Sequence, residues 1–76
     1  MHKLVSILRE LNPDVDYESE KSLVDDGILD SISIVMLVGD LEEVFDVQIT
    51  PVDIVPENFQ SADAIYAMIV RLQGAM

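Results

Sequence analysis

Residues 25–45 read DDGILDSISIVMLVGDLEEVF. A turn signal, Asp26-Gly27, runs into the pair Asp30-Ser31, and an apolar pattern of helical period begins at once. Ile34, Leu37, Val38, Leu41 and Phe45 fall on one stripe when the chain is stepped at about 100° per residue. That spacing predicts an amphipathic helix from about Ser31 to Phe45 with the stripe turned to a core. The boundary itself has two readings. Asp30 caps the helix with its carboxylate and leaves the Ser31 hydroxyl exposed at the first helical position, or Ser31 is itself the cap. Helix ends are uncertain by a residue or two, so the sequence leaves both open.

The same wheel places Ile32, Val35 and Met36 around the opposite face, together with Gly39, Glu42 and Glu43. An apolar patch with an acidic rim marks an interaction surface. Gly39 supports this, because glycine inside a helix costs about 1 kcal/mol relative to alanine and lets another backbone come close.

Upstream, Leu4, Ile7, Leu8 and Leu11 recur at helical spacing and predict a first helix over 2–11, stopped by Asn12-Pro13. Residues 12–29 then form a long polar loop with one anchor, Leu23-Val24, and a loop of that length is often functional. Downstream, Val47 and Ile49 read as apolar and extended. Thr50-Pro51 reads as a cap followed by proline at the first helical position, with Asp53 in the first turn, so a short helix is expected there, ended by Pro56. Ser61 should cap a last helix that buries Ile65, Met68, Ile69 and Leu72 and is closed by Gly74. No strand of useful length and no repeat is visible. The expectation is an all-α fold, one domain over 1–76, with three main helices, one short helix and a long first loop.

Composition bounds the chemistry. A chain of 76 residues, half of them apolar, supports one small core. It has no cysteine, which excludes disulfides, thiolate metal sites and a cysteine nucleophile. No apolar run approaches the 18 or more residues of a membrane span, and the start does not read as a signal peptide, so a soluble, cytoplasmic protein is expected. Fifteen acids face four bases, a formal net charge of −11. Between Glu10 and Asp63 the only base is Lys21. Such a field repels nucleic acid and anionic membranes and draws in basic protein surfaces.

Two apparent sites fail on their chemistry. DVDYESEKSLVD, residues 14–25, alternates acids like a calcium loop. An EF-hand loop needs glycine at its sixth place and a bidentate glutamate at its twelfth, and these hold Ser19 and Asp25. A Ser-His-Asp site needs a rigidly held base, and the single histidine, His2, lies at the start of the chain. No metal site and no catalytic activity of its own is therefore expected. From the residues alone, one function is an unmodified acidic helical adaptor that binds a partner through the Ile32/Val35/Met36 face.

The stretch DDGILDSISIVMLVGDLEEVFDVQIT, residues 25–50, resembles the signature region of acyl carrier proteins and the related peptidyl and D-alanyl carrier proteins. Asp30-Ser31-Ile32 matches the family's Asp-Ser-Leu motif with a conservative change at the third place. Glu42-Glu43-Val44-Phe45 matches its Glu-Glu-x-Phe helix end, and ITPVDIVPENFQSADAI, residues 49–65, resembles the short third helix and the entry to the last. The resemblance implies a four-helix carrier bundle with 4′-phosphopantetheine on Ser31, Asp30 being the motif neighbour. It implies an acyl or aminoacyl group held as a thioester on that arm, for fatty acid, polyketide or nonribosomal peptide biosynthesis. It implies a monomer whose partners are a phosphopantetheinyl transferase, a loading ligase and a downstream acyltransferase or synthase. The implied partner face is Ile32, Val35, Met36, Gly39, Glu42, Glu43 and Ile54. The Gly-x-Leu-Asp-Ser form, with Ser33 and Met36 at places often acidic in fatty-acid carriers, is closest to D-alanyl and freestanding carriers.

Overall fold

The computed structural model describes residues 2–74. Residues 1, 75 and 76, which the expected domain includes, lie outside the described residues.

The first helix, α1 (His2–Leu11), buries Leu4, Ile7 and Leu8, the i, i+3, i+4 set that the sequence pattern picks out. Leu11 is half-buried at its end. Asn12 N still donates to Leu8 O at 3.0 Å, and Pro13 then ends the helix because its ring cannot continue the ladder.

The crossing loop is held at three places, not at Leu23-Val24 alone. Tyr17, Leu23 and Leu29 are all buried. Tyr17 is the unexpected one. Its ring enters the core, while its hydroxyl lies 2.9 Å from Leu8 O and 2.8 Å from Asn12 O. It thereby gives the Asn12 carbonyl, just past the end of α1, a partner, and it also lies within reach of Leu8 O, which already accepts from Asn12 N. A tyrosine among acids carries no periodic signal, which is why the pattern missed it. Gly27 takes φ +76°, the left-handed conformation that suits glycine, at the turn predicted from Asp26-Gly27.

The second helix, α2 (Ser31–Phe45), has the boundaries read from the sequence. Leu37 and Leu41 are fully buried, and Ile34, Val38 and Phe45 are half-buried beside them. Asp46 closes the helix at φ 52°, a left-handed conformation that aspartate tolerates better than most residues. The chain then turns back, and Glu42 fixes that turn by accepting a hydrogen bond from Ile49 N at 2.9 Å.

The expected short helix is instead two separate 3₁₀ turns, Pro51–Asp53 and Pro56–Asn58. Each begins with a proline, whose fixed φ suits a first helical position. The second proline also lacks the N–H that would continue the first turn. Asp53 takes part as expected: its carboxylate accepts from Thr50 N at 3.2 Å and from the Thr50 hydroxyl at 3.0 Å. Asn58 Nδ2 donates to Asp53 O at 2.8 Å and ties the two turns together. After them comes Phe59, wholly buried and among the largest core side chains, which the sequence pattern did not single out.

The last helix, α3 (Ala62–Gly74), starts as predicted, with Ala64 N donating to Ser61 Oγ at 3.0 Å. It buries Ala62, Ile65, Met68 and Ile69, with Leu72 half-buried, and Gly74 is its final described residue rather than a cap beyond it. The described residues thus form three helices and no strand.

Candidate attachment site

Asp30 settles the question posed by the start of α2. Its backbone is extended, at φ −95° and ψ −178°, and its carboxylate accepts from Ser33 N at 2.8 Å. It is the N-cap. Ser31 is therefore the first helical residue and is exposed, and none of the hydrogen bonds among the described residues uses its hydroxyl. The Ser33 backbone N–H, and after it the Ser33 hydroxyl, hold the Asp30 carboxyl below its ordinary value.

A cleft of about 580 Å³ opens beside this serine. Ser31 and Asp30 belong to its lining, and the remaining wall is almost wholly apolar, including Val24, Leu29, Ile34, Ile54 and Phe59. Leu29, from the first loop, and Phe59, just after the 3₁₀ turns, are the buried side chains of its lining.

The face of α2 turned from the core is exposed as the wheel predicts. Ile32 is 73 % exposed, Val35 70 % and Met36 55 %, against 0 % for Leu37 and Leu41. Gly39 and Glu43 are exposed with them, and Ile54 stands at 39 %. Glu42 differs from the rest: it is half-buried, and its carboxylate is spent on Ile49 N. Val52, at 84 %, is an exposed apolar residue that sequence reasoning did not name. A three-residue turn has no period from which to tell inside from outside.

A methyl group placed on Gly39 meets no atom within 4 Å. Gly39→Ala is therefore expected to stabilise the domain by about 0.5–1 kcal/mol, the helix-propensity gain with no steric cost. Urea unfolding measures it, and a loss of stability would mean that the position is not open.

The acids are unevenly compensated. Lys21 lies 3.8 Å from Asp63 with both side chains exposed, a pair of little energetic weight. Asp26 is pushed above the ordinary carboxylate value of 3.8 by partial desolvation in its turn, then by the charge of Glu20 and of Asp25. A group raised on folding costs stability at neutral pH and recovers it as pH falls through the raised value. Asp30 has the opposite sign: its contribution is present at neutral pH and is lost as pH falls below the ordinary value. Asp26→Asn should accordingly raise the melting temperature at pH 7, and that gain should vanish below pH 3.8, where Asp26 is protonated in either state. A gain that persists unchanged in acid would contradict the charge account.

The family model described as the phosphopantetheine attachment site matches residues 2–69. The match covers α1, α2 with the serine at its head, and α3 as far as Ile69, and the chain belongs to this family. Its cofactor is 4′-phosphopantetheine, held covalently on a serine, and its role is that of a phosphopantetheine carrier. No solved structure matches the chain.

The residues present fit that group. An uncommitted, exposed hydroxyl stands at the first position of a fifteen-residue helix. A phosphodiester there would lie where first-turn N–H groups and the helix dipole favour negative charge. Among the described residues, no helix is long and apolar enough to cross a membrane.

Proposed function

We propose that Ser31 is the attachment residue and that the chain carries an acyl or aminoacyl group between enzymes without catalysing a reaction itself. The observation that carries this reading is the position of the Ser31 hydroxyl. Asp30 does the capping, so the serine beside it is left exposed on the lining of an apolar cleft. When bound, the arm supplies a terminal thiol, a group that this cysteine-free chain lacks.

The chain's own residues then divide the work. Asp30 holds the first turn in place through Ser33 N. The N–H groups of that turn offset the phosphate charge. Ile32, Val35 and Met36 offer an apolar contact, and Ile54 and Val52 extend it from the 3₁₀ segment. Glu43 and the net charge of −11 draw a basic partner surface toward it. Gly39 allows close approach. Glu42 acts from beneath by holding the turn after α2.

The partners proposed are a phosphopantetheinyl transferase, an acyl- or aminoacyl-loading ligase and a downstream acyltransferase or synthase. The chain meets each as a monomer, in the cytoplasm. Contacts shared among several enzymes are of the small, transient class.

The absence of cysteine makes the test direct. Treatment with coenzyme A and a phosphopantetheinyl transferase is expected to take the titratable thiol count of the purified chain from zero to one. A count that stays at zero would favour an unmodified adaptor acting through the Ile32/Val35/Met36 face.

A further inference from the structure

Gln60 joins the two sides of the cleft. Val24, in the first crossing loop, and Phe59, just before α3, both line it. Leu23 N donates to the Gln60 backbone carbonyl at 2.8 Å. The Gln60 side-chain carbonyl accepts from Val24 N at 3.1 Å and from Asp25 N at 3.3 Å. Three consecutive loop amides thus end on one residue. No other side-chain hydrogen bond among the described residues links this loop to the segment before α3.

Beyond the clasp, the loop is closed on itself. Leu29 N donates to Leu23 O at 2.9 Å, and Gly27 N to Val24 O at 3.0 Å. Residues 23–29 therefore form a small unit fastened to the opposite wall at its root, and Leu29 at its far end also lines the cleft. Its two ends, Leu23 and Leu29, are anchored in the core, whereas the two amides held by the Gln60 side chain lie nearer the surface. Asp25 is exposed and Val24 half-buried, so water can replace Gln60 as their partner at small net cost. Asp25 and Asp26 on the unit and Glu20 just before it repel one another, which favours its loosening.

We propose that Gln60 is the clasp that sets the aperture of the cleft beside Ser31. Its two side-chain bonds hold the cleft at the size seen here, and their release admits an apolar group carried at Ser31. The proposal rests on Ser31 being the attachment residue.

Gln60→Met tests it, because methionine keeps the length and apolar stem and removes the acceptor. On the unmodified protein, amide hydrogen exchange at Val24 and Asp25 is expected to quicken about tenfold or more, while Leu37 and Leu41 stay at wild-type protection. Ser61→Ala is the control. It removes the α3 cap from the neighbouring residue, which has no bond to the loop, and should leave Val24 and Asp25 unchanged relative to the core.

The chain is then modified and loaded with acetyl or with octanoyl. The gain in melting temperature of octanoyl over acetyl should be larger in Gln60→Met than in wild type, because the variant keeps the backbone bond from Leu23 N but has no side-chain bonds to release. Unchanged exchange at Val24 and Asp25, the same acceleration in Ser61→Ala, or equal octanoyl-over-acetyl gains would each overturn the proposal. Absence of any mass gain on the wild-type chain would instead overturn the attachment reading. The exchange ratios on unmodified protein then decide the clasp by themselves.

Discussion

Ser31→Ala is expected to abolish phosphopantetheinylation outright and to leave the fold intact. The loss is total because the hydroxyl is the atom modified, and alanine offers no nucleophilic substitute. The fold survives because Ser31 contributes little to it: the side chain is exposed and the cap belongs to Asp30. The change in stability should stay within about 0.5 kcal/mol, as for other surface positions. Asp30→Ala should reverse the balance, costing more stability than Ser31→Ala while leaving a serine to modify. Intact mass and a urea melt of both variants separate the two roles. A Ser31→Ala protein that unfolds would assign the serine to structure, and one that is still modified would move the site elsewhere.

Leu41→Asp is expected to unfold the domain, whereas Val35→Asp, on the same helix, should fold normally and fail with partners. Leu41 is fully buried, with no polar group arranged to receive a carboxylate. Burying an unpaired charge costs more than the roughly 5 kcal/mol that a domain this small has available. Val35 is 70 % exposed, so its substitution should move stability by no more than about 0.5 kcal/mol. It should nonetheless slow modification by the transferase, because it puts charge into the apolar contact. Ile34, half-buried, should fall between the two. Circular dichroism melts measure all three, and equal destabilisation by Val35→Asp and Leu41→Asp would mean that the two faces of α2 are assigned wrongly.

The three helices were legible because their apolar residues repeat with a helical period and their ends carry chemical signals. Pro13 stops α1, the Asp30-Ser31 pair starts α2 and Ser61 caps α3. The exposed face of α2 followed from the same period, since residues that miss the core stripe have nowhere to go but outward. What the period did not reach was the material between helices. Tyr17 and Phe59 are buried by loops, one by hydrogen-bonding its hydroxyl to the end of α1 and the other by following two proline-led turns. Neither has neighbours at a regular spacing. The two 3₁₀ turns were read as one short helix because a proline after five residues signals an end and does not reveal that it also begins a second turn.

At the site, local pattern left the capping residue open, and geometry decided it through one 2.8 Å bond from Ser33 N to Asp30. Glu42 shows the converse. Its place on the wheel groups it with the partner face, yet its carboxylate is drawn back to Ile49 N by a turn that only tertiary structure creates. The cleft was invisible for the same reason, being assembled from the first loop, α2 and the 3₁₀ segment.

The most direct measurement is fragmentation mass spectrometry of the chain after treatment with coenzyme A and a phosphopantetheinyl transferase. The chain has six serines, and Ser33 lies only two residues from Ser31. The account predicts one phosphopantetheine per chain, with fragment ions placing it on Ser31. A group found on Ser33 or any other serine, or a chain that gains no mass, would contradict it.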